Sequence, residues 1–176
     1  MTSPAVDFDA PAVIDGPYRY SLTRGGWMPG GPPLVFVMLN PSTADAEKDD
    51  QTIARCRNRA IRGARVQFGR LVVVNLFALR ARNPAELKDH PDPVGPGNDE
   101  WITAAARLPG AVVVAAWGGG PAPRLRHRDL DVLDLLDGAD LWCLGRTADG
   151  APRHPLFVPR TAPLRRFRLE VPRAAS

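Results

Sequence analysis

Four apolar runs of strand length punctuate the chain: residues 34–39 (LVFVML), 71–76 (LVVVNL), 111–117 (AVVVAAW) and the shorter 141–144 (LWCL). They do not alternate apolar with polar positions, as strands with one wet face do. Unbroken runs of this kind fit strands covered on both faces. Helix-like segments lie between them. Residues 44–63 end on a glycine that suits a C-cap. Residues 83–89 open with NPAEL, an Asn cap followed by Pro in the first turn. Residues 98–108 start with Asn98 as a cap and Glu100 in the first turn. Residues 129–136 have helical apolar spacing. Buried strands alternating with helices predict a three-layer α/β/α sandwich around a mainly parallel four-stranded central sheet.

Ahead of these elements, YRYSLTR places Tyr18, Tyr20 and Leu22 at alternate positions, which predicts a short half-buried N-terminal strand. Residues 1–17 contain prolines and read as a loose lead-in. Residues 18–176 then form a single α/β domain with a basic C-terminal tail.

The totals narrow the class. A chain of 176 residues with 44% hydrophobic and 24% charged content matches one soluble globular domain. No apolar run is long enough to span a bilayer, and the N-terminus lacks the basic start and apolar core of a signal peptide. The expected setting is cytoplasmic, with no membrane partner. The only two cysteines, Cys56 and Cys143, are too few for a structural zinc or iron–sulfur site by themselves, and in the cytosol they stay reduced. The net charge is +4, and its positive part is nearly all arginine, with lysine only at Lys48 and Lys88. After Gly145 the tail carries Arg146, Arg153, Arg160, Arg165, Arg166, Arg168 and Arg173 against Asp149 and Glu170. Such a tail suits a polyanion, and a GC-rich coding sequence would produce the same bias.

In parallel sheets, ligands bind beyond the carboxyl ends of the strands. There the chain places Asn40-Pro41-Ser42-Thr43, Asn75 with Phe77 close behind, Trp117-Gly118-Gly119-Gly120, and His154-Pro155 after the last strand. Each has a plain structural role open to it. Asn40 would cap the next helix. The glycines would make a tight turn, or let a ligand approach the backbone. His90 and His127 sit in loop-like surroundings and read as solvated, and the run Arg124, Arg126, His127, Arg128 reads as a solvated face. Asn75 is different: a buried amide must find partners, in neighbouring backbone or in a ligand. The ligand is the preferred reading.

The segments YRYSLTR, LVFVMLNPSTADAEKDDQTIARC, LVVVNLFALRARNPAEL, PVGPGNDEWI, AAWG and CLGRTADGAPRHPLFVP together resemble an uncharacterised bacterial family, number 1643 among the domains of unknown function. The likeness runs from Tyr18 to Pro159. More distantly, the order of strand-end motifs is similar to that of the uracil-DNA glycosylase superfamily. MLNPS stands where those enzymes have an Asp-Pro or Asn-Pro motif, VVVN where a strand ends in a base-reading Asn, AAWG where a strand ends in Trp-Gly, and His154-Pro155 where the final motif begins. Three departures stand out. Met38 replaces a usual glycine, and Leu156-Phe157 replaces Ser-Pro. The residues Asp45, Asp49, Asp50, Thr52 and Arg55 have no counterpart.

That resemblance implies a uracil-DNA glycosylase-like fold and an enzyme of DNA repair and base excision. Its substrate would be a damaged or modified, uracil-like base flipped out of DNA, and its reaction hydrolysis of the N-glycosidic bond. Asn40 would position water and His154 would stabilise the departing base. Asn75 would read the base edge, with Phe77, Pro41, Ser42 and Trp117 around the base. Arg146, Arg153 and Arg160 would meet DNA phosphates, and Leu156 or Phe157 would act as a wedge. No cofactor and no metal is implied, and the protein would act as a monomer on DNA. A nucleoside- or nucleotide-binding or -hydrolysing protein on the same fold is the alternative, favoured by the acids at 45–50, and an inactive binding module is a third. Magnesium held by those acids is a minor alternative to helix capping.

Overall fold

The valine-rich runs form the middle of the sheet. In the computed structural model, which describes residues 4–62 and 67–168, the elements follow as β1 (Ala12–Asp15), β2 (Tyr18–Gly25), β3 (Pro33–Met38), α1 (Gln51–Arg62), β4 (Arg70–Asn75), α2 (Glu86–Asp89), α3 (Asn98–Ala106), β5 (Val112–Ala115), α4 (Arg128–Leu135), β6 (Leu141–Cys143) and β7 (Arg165–Arg166). They build one seven-stranded sheet in the order β1-β2-β4-β3-β5-β6-β7. The four strands from the apolar runs, β4-β3-β5-β6, are mutually parallel. β2 adds antiparallel to β4, β1 antiparallel to β2, and β7 antiparallel to β6. The sheet is therefore mixed and wider than four strands, with its parallel part at the centre.

Side-chain alternation along the central strands divides the core in two. Leu34, Phe36, Leu71 and Val73 pack with Ile53, Cys56 and Ala60 of α1. Val35, Val37, Val72 and Val74 pack on the other face with Trp101 and Ile102 of α3 and Val132 of α4. Helices on both faces explain the unbroken apolar runs: β3 is buried throughout and β4 from Leu71 to Asn75.

The N-terminal region departs from expectation. The lead-in contains β1, and Phe8 reaches the core to meet Trp101 edge-on, with ring centroids 5.5 Å apart. β2 is longer than expected and is buried from Tyr18 to Thr23, polar positions included. The cause is a bulge. Val13 pairs with Ser21 and Ile14 with Arg19, which leaves Tyr20 as an extra residue. Leu22 consequently faces the α1 side, while Tyr18 and Tyr20 face the other core. The alternation in YRYSLTR therefore does not mark a single face.

Helix starts and caps also differ from expectation. Residues 41–50 form a loop, and α1 begins only at Gln51. Asp45 Oδ1 accepts the N–H groups of Glu47 and Lys48 at 2.9 and 2.8 Å, a local turn that competes with helix. Asp50 is the actual cap of α1, its Oδ1 accepting the Ile53 N–H at 2.8 Å. Asn98 does not cap α3, whose cap position is Gly97, and is buried instead. α2 starts at Glu86 with Ala85 at its cap position and no side-chain cap; Asn83, ahead of it, closes a turn in which it accepts from Ala85 N–H while its own N–H donates to Glu86, both at 3.0 Å. Gly63, the expected C-cap, lies outside the described residues, as do Glu170 and Arg173 of the tail. No helix among the described residues is long and apolar enough to cross a membrane.

Candidate functional site

The chain leaves β3, crosses to β4 on one side and later returns to β5 on the other. Connections that diverge in this way leave a crevice beyond the carboxyl ends of the two middle strands. A cleft of about 840 Å³ opens there, and Asn40, Asn75, Trp117, Gly118 and His154 all line it. These residues come from the exits of β3, β4 and β5 and from the loop after β6.

The polar atoms of the three central side chains are held differently. Asn40 Nδ2 donates to the carbonyls of Pro41 at 2.9 Å and Ala81 at 2.8 Å. Both amide hydrogens are thereby used, and Oδ1 remains as an acceptor with no partner among the described residues. Asn40 caps no helix, since α1 starts at Gln51, behind Asp50. Asn75 is 1% exposed, and its Nδ2 has no partner among the described residues. Its backbone is clamped from the far side of the sheet: Asn98 Nδ2 donates to the carbonyls of Asn75 (3.0 Å) and Leu76 (3.1 Å), and Arg128 Nε donates to Leu76 at 2.8 Å. Arg128 is 4% exposed and pairs with Asp99, so it does not belong to a solvated face. His154 Nδ1 accepts the Leu156 N–H at 3.3 Å, which leaves Nε2–H as its donor. Burial holds this imidazole below its ordinary value, against an upward pull from Asp50, so it is neutral at pH 7.

Arg19, which the sequence reading passed over, lies among these groups. Strand alternation points it to the face opposite Tyr18 and Tyr20, where the loop through Ala44 covers it in the cleft wall and leaves it 2% exposed. Its Nη1 donates to Ala44 at 2.8 Å, and its Nε has no partner among the described residues. Burial lowers this guanidinium to about 10, with Asp50 pulling the other way, and it remains cationic at neutral pH. Its only sequence signal was an arginine in a strand taken to have a wet face.

The acidic and basic residues behind β3 have structural roles. Asp49 bridges Arg24 and Arg57, each at 2.8 Å. Arg55 Nη1 donates to the carbonyls of Val158 (2.9 Å) and Pro155 (3.3 Å), and Arg59 holds Ala162 and Arg160 in the same way. α1 thus fastens the segment that carries His154. Thr52 and Asp50 line the cleft. Among the described residues, no group of three His, Cys, Asp or Glu side chains is placed to hold a metal ion.

The remaining site residues divide. Ser42, Arg153, Leu156 and Phe157 line the cleft with Trp117. Phe157 lies on a short 3-10 turn, 76% exposed, its ring 5.6 Å from that of His154. Phe77 is fully buried in the α3-side core and does not reach the cleft. Pro41 is buried behind it, its carbonyl engaged by Asn40 and Ala81. Arg146 stacks on Phe167 and donates to the Arg168 carbonyl, and Arg160 is exposed away from the cleft. Arg82, which the sequence reading left aside, does line the cleft and is exposed. The glycine turn serves protein packing: a Cβ on Gly119 would come within 2.9 Å of the Asp149 carboxylate. Asp149 is engaged by Thr147, Arg124 and Gly120, and the Thr147 hydroxyl foremost holds its carboxyl below the usual range. Both cysteines are buried, and burial pushes the Cys56 thiol far up, so it is no nucleophile.

No curated protein and no solved structure matches the chain. A family model described as "Protein of unknown function (DUF1643)" matches residues 19–156, a span that holds Arg19, Asn40, Asn75 and His154, and the chain belongs to that family.

Proposed function

We propose that the protein hydrolyses the N-glycosidic bond of a modified, uracil-like base extruded from DNA into the cleft. One observation carries the reading: Asn40, Asn75 and His154 meet in a single cleft, and each keeps an unused polar atom of a different purpose. On this reading the fold is of uracil-DNA glycosylase type, as the order of strand-end motifs resembles.

Base excision passes through a sugar with oxocarbenium character and negative charge on the leaving base. Asn40 Oδ1 accepts a hydrogen bond from water and orients it toward the anomeric carbon; an amide is too weak a base to deprotonate it. Asn75 Nδ2 donates to an acceptor on the base edge. His154, neutral, donates through Nε2–H to the base as its charge grows. Phe157 at the rim fills the gap left in the stack, and Trp117 forms an apolar cleft wall. Arg82 and Arg153 replace Arg146 and Arg160 as the arginines nearest the DNA backbone. Incubation with oligonucleotides bearing uracil, hypoxanthine, oxidised or bulky modified pyrimidines, followed by alkaline cleavage, tests this: breaks at one modified base support it.

Asp50 and Asp149 also line the cleft, and their charge opposes that of a DNA backbone. They favour a second reading, a hydrolase or binding protein for free nucleosides or nucleotides. Release of base from nucleosides but not from DNA would select it.

A further inference from the structure

Arg19 has no part in the scheme above, yet it is the most deeply buried cation of the cleft. Arg82 and Arg153, the other lining arginines, are exposed. A buried guanidinium with an orphaned N–H is unfavourable, because it has given up water without gaining an acceptor. The fold nonetheless fixes it there: alternation between Tyr18 and Tyr20 turns it to the cleft side, and Ala44 anchors one nitrogen at 2.8 Å. Asn75 Nδ2 is orphaned in the same cleft. Two buried donors without acceptors among the described residues point to a ligand that brings acceptors, and a cationic donor favours one whose acceptor carries negative charge.

We propose that Arg19 is a catalytic residue that takes up the negative charge on the departing base. The inference rests on the base-excision reading and deepens it. The C1′–N bond breaks, its electron pair stays on the base, and the charge spreads onto a ring carbonyl oxygen that accepts from Arg19. Water forms the new C1′–O bond, and the proton it loses ends on the released base. His154 then shares the leaving group with a full cation, which supplies the electrostatic stabilisation that a neutral imidazole lacks.

The test uses the intact protein and oligonucleotides carrying uracil, 5-fluorouracil or 5-bromouracil, whose bases leave as progressively better stabilised anions when halogenated. Arg19→Met keeps the shape of the side chain without its charge, and Arg19→Lys keeps the charge without the fork. Single-turnover base release by Arg19→Met should fall about 10²–10³-fold on uracil, in the range seen for loss of one charge-stabilising donor. The loss should shrink on the halogenated bases, and Arg19→Lys should recover part of the rate. Thermal denaturation of Arg19→Met checks that the variant is folded, since the Ala44 carbonyl loses a donor while the orphaned Nε is removed. An equal loss on every base, an unchanged rate in a folded variant, or a loss in binding alone would overturn the role of Arg19 while leaving base excision standing. Calorimetric binding of inorganic phosphate by the parent and not by Arg19→Met would assign the guanidinium to a phosphate instead, and would also overturn it. If the parent releases none of the three bases and no other base of the wider panel, the base-excision reading fails and the role of Arg19 fails with it.

Discussion

Asn75 separates function from stability at a single residue. Its buried Nδ2 has no partner among the described residues, so replacing the amide removes an unsatisfied donor without breaking a side-chain hydrogen bond among them. Asn75→Leu should therefore melt at the same temperature as the parent or higher, by up to about 1 kcal/mol of stability, while base release is lost. Thermal denaturation beside an activity assay checks both halves. His154 gives a prediction in pH. Its folded value is lowered by burial, so the native state resists protonation more than the unfolded chain does. Stability from this group is present above its ordinary value of 6.5 and is lost as pH falls through the folded value. Activity should follow the same sign: level from about pH 8 down past 6.5, then falling in acid, because an imidazolium can no longer accept the Leu156 N–H through Nδ1. A rate that declines as pH rises through neutrality would mean that the protonated form does the work.

At the scale of elements, α1 links the exit of β3 to the segment that carries His154. Arg55 reaches two carbonyls of that segment and Arg59 two more. Arg55→Leu should cost about 1.5–3 kcal/mol and lower the rate on bound substrate more than substrate affinity, because it frees the His154 segment without touching the cleft's other groups. Chemical denaturation and single-turnover kinetics at saturation check it. The central strands were legible in the sequence because burial on both faces leaves an unbroken apolar run, as in LVVVNL. The meeting of Asn40, Asn75 and His154 was legible because each follows a strand whose carboxyl end points the same way. Arg19 was not. Alternation did put it opposite Tyr18 and Tyr20, but its burial depends on the loop through Ala44 covering that face, and the apolar–polar pattern of the strand does not show which loop will lie over it. β1 and β7 were missed because they are short edge strands without an apolar run. The late start of α1 was missed because Asp45 uses its carboxylate to hold a turn where the composition favours helix.

For the molecule as a whole, the divergence of the chain on either side of β3 fixes where a ligand goes, and the charges around that place decide what comes. Arg82 and Arg153 lie at the cleft beside Asp50 and Asp149, so attraction to DNA is local and partly opposed. Affinity for an oligonucleotide should still fall as salt rises, and Arg153→Ala should make that fall shallower by about one phosphate contact. A salt response unchanged by the substitution would remove Arg153 from the interface. The central claim is that one cleft excises a base, and the most direct measurement is strand breakage by alkali after incubating the folded protein with the oligonucleotide panel. The account predicts breaks at one modified base, reduced about 10²–10³-fold in His154→Ala and in Asn75→Ala, both folded. Intact strands across the whole panel, or full activity in both variants, would contradict it.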